Sequence, residues 1–100
     1  MQKERIYISG GITQVSDYQR NFDKAEEYIK LKYPRTEVIN PTMVKLPESC
    51  THEDYMKICI PLLELADTIY MMRGWEKSKG ACIEYGFALG ANKTIIFEEE

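Results

Sequence analysis

Short runs of hydrophobic residues alternate along the chain with longer segments in which apolar residues recur every three or four positions. The short runs are rich in β-branched and aromatic residues, and turn-forming residues flank most of them, which predicts strands. The four predicted strands are RIYIS (5–9), TEVIN (36–40), DTIYMM (67–72) and TIIF (94–97). No repeat or linker interrupts the pattern, so residues 1–100 are predicted to form a single domain.

The segments between the strands have the spacing of one helix face. The first predicted helix has its apolar face at Tyr18, Phe22, Ala25 and Ile29, and Pro34 closes it.

The second predicted helix begins at a capping-box arrangement of Thr51 and Asp54. Its apolar stripe consists of Met56, Cys59, Ile60 and Leu63. Pro61 removes a backbone donor inside this segment, so we expect a kink or a break there. Ser78 can cap a third helix over residues 79–91.

Because strand and helix alternate, the pattern predicts a parallel sheet with right-handed crossovers. We expect a small three-layer α/β fold of the flavodoxin or Rossmann kind, with about four strands in the order 2-1-3-4 and helices on the sheet faces. Such sheets bind ligands at the carboxyl ends of their strands. The functional residues should therefore lie in loops 9–13, 40–42 and 73–80.

Charge and cysteine content narrow the possible partners. A net charge of −3 and a pI near 5.2 argue against a nucleic-acid polymer. No apolar run has the roughly 20 residues of a membrane span, and no signal-peptide core follows Met1. Cys50, Cys59 and Cys82 form no CxxC pair, which favours reduced thiols in a cytoplasm. Cys50 and His52 could be two metal ligands, but no other Cys or His nearby completes a set, so neither a metal nor a cofactor is expected.

Two predicted loops carry residues suited to ligand contacts. Gly10 and Gly11, after Ser9, would let backbone amides approach a ligand, although the stretch lacks GxGxxG spacing and is equally a tight turn. Ser78 and Gly80 open the third helix, where free amides bind small anions. Ser78 is alternatively only a helix cap.

Glu84 is the unusual residue of the third helix, since it stands between Ile83 and Tyr85 in a largely apolar segment. Gly80 and Ala88, one turn away on either side, leave room beside its carboxylate. Glu84 is either a reactive group in a groove that holds a bulky ligand, or a residue of a helix that packs closely or meets solvent.

Five stretches together resemble the DUF4406 group. They are IYISGGIT (6–13), NP (40–41), DYM (54–56), LLELADTIYM (62–71) and GWEKSKGACIE (74–84), and the resemblance covers roughly residues 5–97. Domains of this group are similar to the nucleoside 2-deoxyribosyltransferase-like superfamily, which also contains 2'-deoxynucleoside 5'-phosphate N-hydrolases.

The resemblance implies cleavage or transfer of the N-glycosidic bond of a 2'-deoxynucleoside or its 5'-monophosphate. Glu84 matches the glutamate nucleophile, and Tyr7 matches a tyrosine that positions this glutamate or the sugar. The implied substrate contacts are Ser9, Gly10, Gly11, Asn40, Trp75, Ser78 and Gly80, with Ser78 and Gly80 at the phosphate. Trp75 or Tyr70 would face the base, unless Trp75 is a packed loop anchor. The helix start would keep the nucleophile ionised.

Two positions depart from the superfamily pattern. An aspartate that contacts the sugar and helps the base depart lies eight residues before the Asp that opens the third strand, and counting back from Asp67 gives Cys59. A thiol is a poor proton donor to a departing base. A basic residue of the first loop is replaced by Thr13, and Asp67 itself is expected to be structural. These departures favour a second hypothesis, a nucleotide-binding module with weak or no activity.

A third hypothesis is an interaction domain that pairs through a helix face. Tyr85, Leu89 and the stripe over 56–63 could supply the contact. Pockets in the superfamily are commonly completed by a second subunit. The expected partners are therefore a small nucleoside or nucleotide and another copy of this chain, as a homodimer or higher homo-oligomer.

Overall fold

Four strands and three α-helices alternate along the chain in the computed structural model, which describes residues 3–12 and 16–99. The strands are β1 (Glu4–Ser9), β2 (Thr36–Ile39), β3 (Thr68–Met71) and β4 (Thr94–Phe97), and the helices are α1 (Tyr18–Lys32), α2 (His52–Glu64) and α3 (Lys79–Gly90). Every strand and helix predicted from the hydrophobic pattern is present. In the part of the chain described, no helix combines the length and the apolar character that crossing a membrane requires.

The four strands form one parallel sheet in the order β2-β1-β3-β4, which confirms the predicted topology. Tyr7 pairs with Ile39 on one side and with Ile69 on the other, so β1 is an interior strand. At the carboxyl edge, Ser9 at the end of β1 lies beside Met71 at the end of β3.

Apolar side chains cover both faces of the sheet, which produces the predicted three layers. Ile6 and Ile8 pack with Phe22 and Ile29 of α1 on one face. Tyr7, at the alternate position of β1, packs on the opposite face with a cluster that α2 and α3 complete. Because side chains alternate along a strand, Ser9 points to the same face as Tyr7. The tyrosine and serine of β1 therefore both face α2 and α3.

Asp67, immediately before β3, stabilises the amino edge of the sheet through hydrogen bonds to β1. Its carboxylate accepts a hydrogen bond from the Arg5 amide at 3.0 Å, and its own amide donates to the Arg5 carbonyl at 2.9 Å. This position is at the opposite end of β3 from the carboxyl edge. The contacts support the structural interpretation of Asp67.

Helix α2 differs from its prediction in two respects. It continues through Pro61 to Glu64, so the proline causes no break. Pro61 lies three residues before the helix end, so it removes one hydrogen bond of the last turn and the helix ends within one turn of it. Cys59 and Leu63 of the predicted contact stripe are buried in the core of this chain and are not available to a partner.

The start of α2 is stabilised by the predicted capping box. The Asp54 amide donates to the Thr51 hydroxyl at 3.1 Å, and the Thr51 amide donates to the Asp54 carboxylate at 2.9 Å. Thr51→Ala should lower the free energy of unfolding by about 1 kcal/mol, since this is the usual contribution of an N-cap side chain. Urea denaturation would measure the change, with Ser49→Ala, at an exposed position two residues earlier, as the control. Equal stability of the two variants would contradict the prediction.

Candidate functional site

Glu84 is only 5% exposed, although most glutamates in proteins remain in contact with water. It lies on the buried face of α3, which also carries Gly80, Ala81 and Ala88. These small residues allow α3 to approach the sheet closely, so Glu84 reaches the polar side chains of β1. The interpretation of Glu84 as a solvent-facing helix residue is therefore wrong.

Two hydroxyl groups from β1 hold the two oxygens of this carboxylate. Tyr7 Oη donates to Glu84 Oε2 at 2.5 Å, and Ser9 Oγ donates to Glu84 Oε1 at 2.6 Å. Both donors are fully buried. The alternation of β1 brings them to the same face, and we call Tyr7, Ser9 and Glu84 the carboxylate clamp.

Burial raises the pKa of Glu84, and the hydrogen bonds from Ser9 and Tyr7 act in the opposite direction. The helix start contributes less than expected, because Glu84 is six residues beyond the Ser78 cap and the dipole effect is confined to the first turn. Burial, followed by the charge of Glu84, raises the pKa of Tyr7, which therefore keeps its proton and donates it to the carboxylate.

Glu84 and Tyr7 border a cavity of about 310 Å³. Gly10, Ser78 and Gly80 also line it, so five of the nine site residues implied by the sequence meet there. Among the described residues, Glu84 provides the only carboxylate of the cavity wall, and no lysine or arginine lines it. The cavity is therefore small and poor in charge.

Helix α2 and the residue before its cap form a wall of the cavity, in which the resemblance had placed only position 59, as the counterpart of the sugar-contacting aspartate. The contributing residues are Cys50, Thr51, His52, Tyr55, Met56 and Cys59. Tyr55 Oη donates to the Pro41 carbonyl at 2.7 Å, which fixes α2 against the turn that follows β2. Tyr55 belongs to the DYM stretch of the resemblance and Pro41 to the NP stretch. Neither stretch by itself indicates that the two residues line the same wall.

Cys59 lies deep in this wall and is 2% exposed. Burial raises the pKa of its thiol to about 11, and the negative charge of Glu84 adds to the increase. The thiol therefore remains neutral at physiological pH and is neither a nucleophile nor a strong acid. Position 59 does border the cavity, but it brings no second carboxylate.

The two glycines of the wall are packed against neighbouring side chains. A Cβ atom on Gly80 would lie 2.9 Å from His52 Nε2, so glycine permits α2 and α3 to approach each other. A Cβ atom on Gly10 would lie 2.5 Å from Met72 Cε. Ser78 caps α3 by accepting a hydrogen bond from the Ala81 amide at 3.2 Å. Its hydroxyl thus has a structural partner as well as a place in the cavity wall.

Four of the implied ligand contacts do not line the cavity: Ser9, which belongs to the carboxylate clamp, and Asn40, Trp75 and Gly11. Asn40 is buried, and its side chain donates to Glu26 and accepts from the amide and hydroxyl of Thr42, so it caps the turn after β2. The centroid of the Trp75 ring lies 4.6 Å from that of the Tyr85 ring, as expected of a packed loop anchor. Gly11 is half-buried and lines no part of the cavity.

Tyr70 and Thr13 are two further positions that the sequence interpretation named. Tyr70 lies on the opposite face of the sheet, in the cluster that packs on α1, and does not line the cavity. Thr13 lies outside the described residues.

Within residues 3–12 and 16–99, no three His, Cys, Asp or Glu side chains are grouped closely enough to hold a metal ion. Cys50, Cys59 and Cys82 are free thiols.

A comparison with curated proteins found no match for this chain. The sequence model of a family described as a domain of unknown function, DUF4406, matches residues 4–97. The match spans nearly the whole chain, and the protein therefore belongs to the DUF4406 family.

Proposed function

We propose that the protein cleaves or transfers the N-glycosidic bond of a 2'-deoxynucleoside or its 5'-monophosphate, with Glu84 as the nucleophile. The observation that carries the proposal is a buried carboxylate, held by two hydroxyl donors, at the wall of a cavity. The similarity of GWEKSKGACIE to the nucleoside 2-deoxyribosyltransferase-like superfamily supports the same assignment. Proteins rarely bury a carboxylate without a structural ion pair or a function, and no described basic residue forms an ion pair with Glu84.

The reaction proceeds in two displacements at C1' of the sugar. A lone pair of Glu84 forms a bond to C1' while the bond from C1' to the base nitrogen breaks, and the departing base takes a proton from water. The product is a glycosyl ester of Glu84. Water or a second base then attacks C1', loses its proton, and releases the ionised carboxylate. Tyr7 and Ser9 hold the carboxylate throughout the cycle.

A 5'-phosphate would be received at the start of α3. Ser78 and Gly80 line the cavity at this helix start, and the free amides of a first helical turn bind anions. His52 of α2 borders the same end and supplies an additional hydrogen-bond donor. Because the described wall has no lysine or arginine, a neutral nucleoside is an equally suitable substrate.

Release of free base tests the proposal directly. The protein is incubated with each of the four 2'-deoxynucleosides and their 5'-monophosphates, and bases are separated by chromatography. Parallel samples contain a second base, so that transfer gives a new nucleoside and hydrolysis gives deoxyribose or its phosphate. Base release no greater than that of a Glu84→Gln protein would disprove the proposed chemistry.

A second candidate function is nucleotide binding without efficient turnover. The neutral thiol of Cys59 favours it, because Glu84 then acts without a second carboxylate in the described wall. A thermal-shift assay with deoxynucleotides, cyclic nucleotides and ADP-ribose-like compounds distinguishes the candidates. Stabilisation without base release supports binding alone, whereas the absence of any shift argues against both functions.

We also propose that a second copy of the chain covers the mouth of the cavity. A groove between α2 and α3 is lined by residues including Met56, Lys79 and Ile83, and His52 and Met56 line the cavity as well. Ile83 is 47% exposed, which is unusual for an isoleucine. Pairing through this groove would exclude water from Glu84. The free thiols suit a reducing cytoplasm as the place of the reaction.

Ile83→Lys should convert the proposed dimer into a monomer, because it would bury an additional charge in a groove that already holds Glu53, Lys57 and Lys79. The molar mass measured by light scattering should then fall from twice the chain mass to the chain mass of 11.7 kDa. Leu31→Lys is the matched control, since Leu31 is 84% exposed on α1, across the sheet from the groove. A monomeric wild-type protein at high concentration, or dissociation by both substitutions, would refute the assignment of this interface.

A further inference from the structure

We propose that Ser9 is a positioning residue that holds Oε1 of Glu84 as the non-attacking oxygen and so presents Oε2 to the cavity. The inference rests on the proposed function of Glu84, and it gives Ser9 a role different from the substrate contact that the sequence implied.

The two sides of the carboxylate clamp are not equivalent. Both hydroxyl donors are fully buried, but Tyr7, which bonds to Oε2, lines the cavity, whereas Ser9, which bonds to Oε1, does not. From this difference between the two donors we place Oε2 on the cavity side, where a sugar can bind, and Oε1 on the side away from it. An ionised carboxylate has about four acceptor sites, so Oε2 retains a lone pair for attack while it accepts from Tyr7.

The charge on Glu84 changes during the cycle, and the Ser9 bond responds to that change. In the free enzyme, Ser9 donates to an ionised carboxylate, but in the glycosyl ester it donates to a neutral carbonyl oxygen. Hydrogen bonds to charged acceptors are the stronger ones. Ser9 therefore stabilises the free carboxylate more than the ester, and this favours the second displacement, in which Glu84 is the leaving group.

The same bond controls the pH dependence. Ser9 favours the charged form and lowers the pKa of Glu84 against the opposing effect of burial. When the bond is lost, that pKa rises, so Glu84 becomes protonated and inactive at a higher pH than in the wild type. The other titratable groups on this side are Tyr7 from β1, Cys50 from the loop before α2, and His52, Tyr55 and Cys59 from α2. Burial raises the pKa values of both tyrosines and of the Cys59 thiol, so these three groups keep their protons around neutrality.

Carbon-13 NMR of the Glu84 side-chain carboxyl tests the role of Ser9 without requiring turnover. The resonance is assigned by its absence in Glu84→Gln and is followed through a pH titration. Because this resonance belongs to Glu84 alone, its titration is distinguished from that of His52. We expect Ser9→Ala to raise the pKa of Glu84, and Ser9→Cys, a weaker donor of similar size, to raise it less. Ser49→Ala should titrate like the wild type. An unchanged Glu84 titration in both Ser9 variants would overturn the proposal.

Rapid acid quenching followed by mass spectrometry of the intact protein tests the second displacement. With a substrate that releases base, Ser9→Ala should accumulate several-fold more glycosyl-enzyme than the wild type at a pH where Glu84 is ionised in both. An equal amount of intermediate would contradict the proposed effect of Ser9 on the second displacement. If the wild type releases no base at all, the proposed function fails, and the NMR titration alone then decides whether Ser9 positions Glu84.

Discussion

Glu84→Gln is expected to lower base release by at least about a thousandfold, because the amide cannot form the glycosyl ester. Glutamine has nearly the same size as glutamate, so the side chain still fits between α3 and β1. Its NH2 group must face one of the two hydroxyls that now donate to the carboxylate, Tyr7 Oη or Ser9 Oγ. That hydroxyl can rotate to accept, and the fold is retained.

The measurement is the initial rate of base release, with circular dichroism to verify folding. Glu76→Gln, at an exposed position in the loop before α3, makes the same chemical change outside the cavity and should leave the rate unchanged. Base release by Glu84→Gln within tenfold of the wild type would mean that another group, or water alone, attacks the sugar.

The same substitution gives an expected pH dependence of stability. Burial raises the pKa of Glu84 in the folded state above its unfolded value, so the folded state binds the proton more tightly. The contribution of Glu84 to stability is therefore fully present below the unfolded pKa and is lost as the pH rises through the folded pKa. The difference in unfolding free energy, wild type minus Glu84→Gln, should decrease over that interval. An increase would contradict the direction assigned to this pKa.

Cys59→Asp is expected to raise base release by about a hundredfold, the usual contribution of a positioned general acid. Cys59 is buried in the cavity wall, and Glu84 is the only carboxylate of the described wall. A carboxyl group at position 59 would lie near the negative charge of Glu84, so desolvation and like-charge repulsion would favour its protonated form. Such a group can give its proton to the departing base, which the neutral thiol does poorly.

The gain should be accompanied by a loss of stability, since a polar group enters a buried position that now holds a thiol. Cys59→Asn separates the two effects, because it introduces a polar group of the same size without an acidic proton. We expect Cys59→Asn to lose stability without gaining activity, as measured by thermal unfolding and base release. A gain in Cys59→Asn equal to that in Cys59→Asp would show that cavity shape, rather than proton transfer, limits the reaction.

The fold was predictable because hydrophobic periodicity reports burial almost directly. The runs around Ile6, Ile69 and Ile95 are short, β-rich and separated by helical spacing, and this combination leaves few arrangements other than a parallel sheet. The break predicted at Pro61 does not occur, because the proline removes a single backbone bond and the helix ends three residues later.

The site was only partly predictable, because its residues come from separate crossovers. Tyr7 and Glu84 meet at the carboxyl edge where the topology placed them, but the wall formed by α2 depends on how that helix packs across α3. Asn40 and Trp75 lie in the expected loops, but their side chains contact other parts of the protein. Asn40 hydrogen-bonds to Thr42, and the Trp75 ring packs on Tyr85. Sequence position selects a loop, whereas the direction of a side chain depends on neighbours that are distant in sequence.

The carboxylate clamp also has a consequence for folding. Its hydrogen bonds join residues that are 77 and 75 positions apart, and they connect the first strand to the last helix. Contacts of such long range form slowly, because a large loop must close before they provide any stabilisation. The clamp can be complete only when α3 has docked on β1, so partial opening of either end of the chain would abolish it. The protonation state of Glu84 would then serve as a built-in reporter of complete tertiary assembly during refolding.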